Sequence, residues 1–386
     1  MIVFGQYPEQ VIQRFENILD PNNSSICEKR YLNIFTFTGI VLGFVYITFL
    51  PLGAYFYVPA SINYQVVERY SLKATGAKAT VALGILLPQS GPYQVIENRE
   101  ITWRGEQSIE NSPCVDTIKL SGQIQPSLPL EAIIKYNVSV THGFVVWRAE
   151  PDSCQLLPQC MIESDHPRII HRANQNTNGN SWRDAFKIYN FSGEYLVASG
   201  EYAGCTQGKF VLEAYLSGHG ECGEYSRLMV ALSRASEIPS IVVSGILLPD
   251  FSAPESKQTR IGDHPGIAHA WVEFSDREIW TLADPAWGVN AWKGYYFGRN
   301  DGRHLSYGCI NHEGEVYSRL HRWADLKGKI VSEEFAALKY VASSPSGDVE
   351  VTPQINVIKG WDGRWANAAG SLAIATVLLY NLRKRI

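Results

Sequence analysis

Between residues 62 and 148, apolar and polar residues alternate in short runs that end at Gly, Pro or Ser. Alternation with a period of two is typical of a strand with one buried face. The runs recur every 10–15 residues or so, roughly the spacing of a small all-β domain. We therefore expect a small β-sandwich domain over residues 60–150. The runs are VVERYSLKA, ATVALGILLP, ENREITWRG, CVDTIKLSG and LEAIIKYNVSV.

From Trp182 onward the spacing of apolar residues becomes helical. WRDAFKIYNFSGEYLV predicts one helix, Gln207–Leu216 a second short one, and the segment that begins at Gly220 a third. The third helix has one apolar face, formed by Leu228, Leu232 and Ala235. Pro239 ends it, and three strand-like runs follow, SIVVSGILL, AHAWVEF and EIWTLADP. Helices followed by antiparallel strands indicate an α+β fold, and we expect a second domain over residues 165–345.

A long uncharged run separates the polar N-terminus from the rest of the chain. Residues 31–61 contain no charged side chain and are mostly apolar, and a helix needs about 20 apolar residues to cross a bilayer. A cleaved signal peptide is the alternative, but a leader of about 30 residues before the apolar part is too long for that type. We expect an N-terminal cytoplasmic tail over residues 1–30 and a retained transmembrane anchor over Tyr31–Val58.

A second apolar run, Ala366–Leu382, is followed by Arg383, Lys384 and Arg385. Its length is at the short limit for a span, so a second transmembrane helix and a docked or buried terminal helix both remain open. Positive charge concentrates on the cytoplasmic side of membrane proteins. The terminal cluster and the flank of the first run therefore favour cytoplasmic tails, with residues 60–365 in the periplasm or at the cell surface.

The composition restricts the class of partner. The chain has 386 residues, of which 45% are hydrophobic and 19% charged, so it can bury a substantial core. Its formal net charge of −4 leaves no basic surplus to neutralise phosphates. We therefore expect no nucleic-acid partner, and we look for chemistry in individual side chains.

Cys222 is the first candidate, because it stands at the predicted start of the third helix. The free N–H groups and partial positive charge of a helix N-terminus stabilise a thiolate, and the same N–H groups can bind an oxyanion. A small buried cysteine at a helix start is also a common structural feature. Position alone leaves both interpretations open.

His269 and Asp284 are predicted to meet across a hairpin. The runs AHAWVEF and EIWTLADP are separated by a short polar turn, and a turn centred between Asp276 and Arg277 puts His269 directly opposite Asp284. Their Cβ atoms would then lie about 4.5–5.5 Å apart. Asp284 could orient the imidazole, as the third group of a nucleophilic triad does. The alternative is a histidine on a strand face and an aspartate that begins a turn before Pro285.

Three blocks of this sequence together resemble the transglutaminase-like superfamily. They are GHGECGEYSRLMVALSRASEIPSIVVSG, HAWVEF and LADPAWG, and they occur in the family's order within about residues 182–310. The resemblance implies a papain-like fold and a catalytic triad of Cys222, His269 and Asp284. The preceding segment LLPQSGPYQVIE more loosely resembles the β-sandwich found before this core in bacterial, membrane-anchored members.

The resemblance also implies a reaction class. A thiolate attacks a carboxamide carbonyl, an amine leaves, and a thioester forms on the cysteine. We expect a membrane-anchored cysteine peptidase or amide hydrolase that acts on peptides or proteins. A protein-glutamine transamidase and a catalytically silent binding or assembly module remain open.

No cofactor or metal is expected. The other histidines His264, His304 and His312 lack the spacing of metal ligands, and the sequence has no zinc signature. The acidic loop pattern of a calcium-gated enzyme is also absent from the sequence.

Overall fold

The computed structural model describes residues 52–55, 58–111, 115–126, 128–159, 161–198, 210–248, 259–260, 268–288, 294–334 and 339–383. The chain divides into two compact units, Pro59–Arg364 and a second unit made of Met1–Val58 with Trp365–Ile386. The predicted tail over residues 1–30 and nearly all of the predicted anchor Tyr31–Val58 lie outside the described residues.

The larger unit contains two sheets that enclose a common apolar core. The first has the strand order β11-β18-β1-β6-β14, with β3 also paired to β6. The second has the order β16-β17-β2-β5-β4. The strands of the first sheet are β1 (Ala60–Ala74), β3 (Gln94–Thr102), β6 (Leu130–Phe144), β11 (Thr259–Arg260), β14 (Arg299–Asp301) and β18 (Val349–Asp362). Those of the second are β2 (Ala79–Leu87), β4 (Glu106–Asn111), β5 (Asp116–Ile124), β16 (Lys329–Glu334) and β17 (Tyr340–Ser344).

The core between these sheets follows from the alternation in the sequence. In β1, Tyr64, Val66, Tyr70 and Leu72 are buried, while the residues between them are exposed or half-buried except for Glu68. They pack with buried residues of β2, β5 and β6 in one cluster. The sheet-forming runs expected between residues 62 and 148 are thus strands that pack face to face.

Strands from far along the chain complete both sheets. β18 pairs with β1 along nearly its whole length, and β17 pairs with β2. These strands lie in or just after the segment 165–345 that we assigned to a second domain. Contacts divide the described chain only near Pro59 and Arg364, and the boundaries at 60–150 and 165–345 stay a prediction.

A third sheet, with the order β15-β10-β12-β13-β7, carries helices on one face. Its strands are β7 (Val146–Arg148), β10 (Ser240–Leu247), β12 (Ala268–Asp276), β13 (Ile279–Ala283) and β15 (His304–Cys309). These helices are α1 (Pro167–Asn176), α2 (Ser181–Tyr195), α3 (Val211–Ser217), α4 (Cys222–Ala235) and α5 (Pro285–Gly288). A further helix, α6 (Ile310–Asp325), packs instead with β2 and β17 of the second sheet. Two short strands, β8 (Val197–Ala198) and β9 (His219–Gly220), pair in parallel beside them. This mixed architecture agrees with the α+β class expected from the sequence.

The C-terminal apolar run forms α7 (Gly363–Arg383), which covers the predicted segment Ala366–Leu382. Several of its large apolar side chains are about half exposed, among them Trp365, Ile374 and Val377. Among the described residues, no helix combines the length and the apolar character required of a membrane span.

Candidate active site

Cys222 is the first residue of α4, and bonds around the helix start fix its position. The backbone N–H of Glu221 donates to Oε2 of Glu224 at 2.9 Å, and the two residues form a reciprocal capping box. A Cβ on Gly220 would lie only 2.5 Å from Cβ of Glu224, so this approach to the helix requires glycine. Cys222 is partly exposed, and its thiol lies at a helix end that favours negative charge.

One hydrogen bond sets α4 against the strand that carries the histidine. Oγ of Ser226, one turn after Cys222, donates to the carbonyl oxygen of Ala270 at 3.0 Å. Ala270 directly follows His269 in β12. Leu228 and Val230 are fully buried against the same sheet. The start of α4 is therefore held beside His269.

His269 is nearly fully buried, at 4% exposure. It pairs with Gly245 of β10, where a Cβ would lie 2.0 Å from the carbonyl oxygen of Leu305 and 2.7 Å from the ring of Trp271. Glycine at this position allows β15 to approach β10 closely. The imidazole lies 5.5 Å from the ring of Trp287, measured between centroids.

The register of the hairpin differs from our expectation, although the two side chains meet. Nε2 of His269 lies 2.7 Å from Oδ2 of Asp284. The strands pair Val272 with Ala283 and Asp276 with Ile279, so the turn lies one residue further along than predicted. In this register the position opposite His269 would be that of Ala286, and Asp284 is the diagonal neighbour of His269. Moving the turn by one residue changes the pairing partner of each residue by two positions. Asp284 therefore stays on the same side of the sheet as His269, and an imidazole is long enough to reach it.

Asp284 is completely buried at the junction of β13 and α5. Its Oδ1 accepts the backbone N–H of Trp287 at 3.0 Å, and its own N–H donates to the carbonyl oxygen of Tyr296 at 2.9 Å. The carboxylate is thus fixed both at its backbone and at its side chain. Oδ2 remains directed towards the imidazole of His269.

The charges of this pair follow from its surroundings. Burial by itself lowers the pKa of His269, but the charge and hydrogen bond of Asp284, with a smaller contribution from Cys222, raise it to about 9. Burial pushes the pKa of Asp284 upward, yet the neighbouring imidazoles hold it well below its usual range. At neutral pH the aspartate is ionised and the imidazole protonated. With Nε2 bonded to Asp284, Nδ1 is the nitrogen available to Cys222.

The structure adds His304, whose part in the site we did not predict. It is fully buried, and its Nε2 lies 3.1 Å from Oδ2 of Asp284. Its Nδ1 lies 3.0 Å from Oδ1 of Asp301. The sequence offered one weak signal, an aspartate three residues before a histidine. The link from His304 to Asp284 depends on the strand order of the third sheet, which no local pattern predicts.

The same cluster has the composition of a metal site. His269, Asp284 and His304 offer potential ligand atoms within 4.8 Å of one another. However, Oδ2 of Asp284 lies at hydrogen-bond distance from both imidazoles, at 2.7 and 3.1 Å. The three groups therefore satisfy one another directly, which favours a hydrogen-bonded relay over an ion-binding cage.

Comparison with known proteins locates the family resemblance. Residues 170–285 match the model of the transglutaminase-like superfamily. No curated protein matches the chain at a significant level.

Among solved structures, a candidate cysteine protease from Cytophaga hutchinsonii shares 12% identity at a TM-score of 0.45, with 78% of this chain and 98% of that one covered. The periplasmic domain of TgpA from Pseudomonas aeruginosa shares 16% identity at a TM-score of 0.31, with 59% and 90% covered.

The family match contains Cys222, His269 and Asp284 and ends directly after the aspartate. His304 and Asp301 lie beyond it. The similarity to the transglutaminase-like superfamily therefore covers residues 170–285, which include all three residues of the expected triad.

Proposed function

We propose that this protein is a thiol enzyme that cleaves amide bonds in peptides or proteins through a thioester on Cys222. The observation that carries the proposal is the arrangement of Cys222 at the start of α4, next to an imidazole that a buried aspartate binds at 2.7 Å. A nucleophile, a base and a group that orients the base are the parts such chemistry needs. A purely binding role would require none of these three in contact.

In the first half-reaction the thiolate of Cys222 attacks the carbonyl carbon of the amide, and a C–S bond forms. The N–H groups at the start of α4 stabilise the negative charge on the carbonyl oxygen. The protonated His269 gives its proton to the departing nitrogen, the C–N bond breaks, and an amine leaves. Asp284 stabilises the imidazolium and holds its ring in the required orientation.

In the second half-reaction a water molecule attacks the thioester while neutral His269 removes one of its protons. The C–S bond breaks, and the product leaves with a free carboxyl group. An amine in place of water would give a transamidated product by the same steps. We propose hydrolysis as the reaction, and a test with added amine separates the two.

The test follows product mass from a library of peptide amides, with and without a primary amine. We expect hydrolysed product that is insensitive to the amine, and no product from Cys222→Ala. Cys154→Ala is the matched control, because Cys154 is also a free thiol and lies outside the site. Product that carries the amine would overturn hydrolysis, and unchanged activity in Cys222→Ala would overturn the thioester.

We further propose that Tyr31–Val58 anchors the chain in a membrane, with the unit Pro59–Arg364 outside the cytoplasm. The proposal rests on the uncharged run and its preceding Lys29 and Arg30. If Lys73 lies outside the cytoplasm, a reporter fused after it should be active when its activity requires the outer side of the membrane, and inactive when its activity requires the cytoplasm. A second fusion after Ile386 tests the predicted span at Ala366–Leu382, since a cytoplasmic signal there would support it.

A further inference from the structure

His304 is a fully buried histidine that the proposed chemistry does not use. Each of its ring nitrogens lies beside a carboxylate oxygen, Nε2 at 3.1 Å from Asp284 and Nδ1 at 3.0 Å from Asp301. A neutral imidazole carries a single N–H, and an ionised carboxylate can only accept. Both bonds can therefore form together only when His304 is an imidazolium.

The state of the two carboxylates supports this assignment. Burial pushes the pKa of Asp301 upward, but the charge and hydrogen bond of His304 lower it overall. Burial lowers the pKa of His304, and the two carboxylates raise it to about 9. One cation thus lies between two anions in a region closed to solvent, where charge-assisted hydrogen bonds are strong.

This bridge acts on the proposed catalytic pair in two ways. It supplies a third bond to Asp284, whose carboxylate also accepts from His269 and from the backbone of Trp287. It also places a positive charge near His269, with the two rings 5.5 Å apart between centroids. A nearby cation opposes protonation of His269, and so offsets part of the pull that Asp284 exerts on the proton.

Building on the proposed function, we propose that His304 is a positioning residue that orients Asp284 and sets the pH range in which His269 gives up its proton. It does not touch the substrate, because it lies behind Asp284 and is fully buried. The charged and titratable groups that face it come from four elements or their flanks. They are Asp284, Asp301, Arg303, His269 and Tyr296.

Two neutral substitutions separate its bonds. The amide nitrogen of glutamine reaches about as far as Nε2, so His304→Gln keeps a donor for Asp284 and loses the one for Asp301. The shorter His304→Asn places its amide near Nδ1 and does the reverse. Each variant removes the bond from residue 304 to one buried carboxylate and keeps the other, so we expect similar losses in thermal stability.

The first measurement is the rate at which iodoacetamide alkylates Cys222 at pH 6, read by peptide mass. We expect His304→Gln to stay within about threefold of wild type and His304→Asn to fall at least about tenfold, since one hydrogen bond to a charged group is worth that much. Equal rates in the two variants would overturn the positioning role, because their stability losses match.

The second measurement is the titration of His269, followed by NMR of protein labelled at the histidine ring nitrogens. Loss of the neighbouring cation should raise the midpoint by at least about one pH unit in both variants. An unchanged midpoint would overturn the charge assignment. Loss of Cys222 reactivity on treatment of wild type with EDTA, restored by zinc, would overturn the relay in favour of a metal site.

Neither measurement needs a peptide substrate. If wild type cleaves no peptide amide but the two variants differ as expected, the proposed function fails and the role of His304 stands. If wild type cleaves peptides and the variants do not differ, the proposed function stands and the role of His304 fails.

Discussion

The buried cluster around Asp284 should make the stability of this protein fall steeply at alkaline pH. The perturbation is the titration of His269. Its pKa is raised from 6.5 to about 9 in the folded state, so the folded protein keeps a proton that the unfolded chain has released. This contribution to stability is complete below pH 6.5 and is lost as the pH rises through 9.

The magnitude follows from the proton affinity. A tenfold change in affinity corresponds to about 1.4 kcal/mol, so the retained proton on His269 contributes about 3 kcal/mol to the free energy of unfolding. Despite burial, the pKa of His304 is also raised to about 9, chiefly by the charge of Asp301. His304 therefore adds a further contribution of the same sign, and about 3 kcal/mol is a lower bound for the two histidines together. Asp284 acts in the opposite sense, because its pKa is held below 3.8. Its contribution is present above that value and is lost in acid.

The assay is urea-induced unfolding of the full chain, followed by tryptophan fluorescence from pH 5 to pH 9.5. We expect the free energy of unfolding to fall by at least about 3 kcal/mol between pH 6.5 and pH 9. In Asp284→Asn, which keeps the size of the side chain but not its charge, the part of this decrease that comes from His269 should disappear, while the part that His304 owes to Asp301 should remain. His171→Gln is the control, because His171 is an exposed histidine on α1. Parallel curves for wild type and Asp284→Asn across this interval would refute the reasoning.

Two further predictions concern packing that supports the site. Gly245→Ala would bring a Cβ to 2.0 Å from the carbonyl oxygen of Leu305, so urea unfolding should show that the free energy of unfolding falls by about 2 kcal/mol or more. The control is Gly76→Ala, where the new Cβ meets open space and the loss should be less than about 0.5 kcal/mol. Equal losses in the two variants would contradict the close approach of β15. The carboxylate of Asp184, which is 3% exposed, accepts the backbone N–H groups of residues 178–180. Asp184→Ala should therefore lower the free energy of unfolding by about 3 kcal/mol, and Asp184→Asn by less. A thermal midpoint that is unchanged in Asp184→Ala would show that this turn does not depend on the carboxylate.

Local patterns predicted the individual elements well. The expected helix over residues 182–197 is α2, which begins and ends within two residues of it, and the expected helix at Gly220–Cys222 is α4. Periodicity reports which face a segment buries, and it needs no knowledge of what covers that face. It could not predict that β18 would join the first sheet. β18 pairs with β1, almost three hundred residues earlier in the chain, and no local signal encodes such a partner.

The site was predicted unevenly for the same reason. Cys222, His269 and Asp284 stand in short blocks whose neighbours are close in sequence, so a resemblance could identify them. The turn was placed one residue early because Asp276, Arg277 and Glu278 are all polar, and Arg277 adopts a positive φ of 63° that is uncommon outside glycine. His304 lies next to Asp284 only because β15, β10 and β12 pair side by side in one sheet. That order is a property of the whole fold.

The pairing of β1 with β18 has a mechanical consequence. β1 begins directly after Pro59, and β18 ends two residues before Arg364, with Ile62 paired to Asp362. The chain therefore enters and leaves this unit on adjacent antiparallel strands, about 5 Å apart. A pull on the two ends would load the ladder from one end. Its hydrogen bonds would break in succession instead of all together, so a modest tension would peel β18 from β1 and open the first sheet along its length.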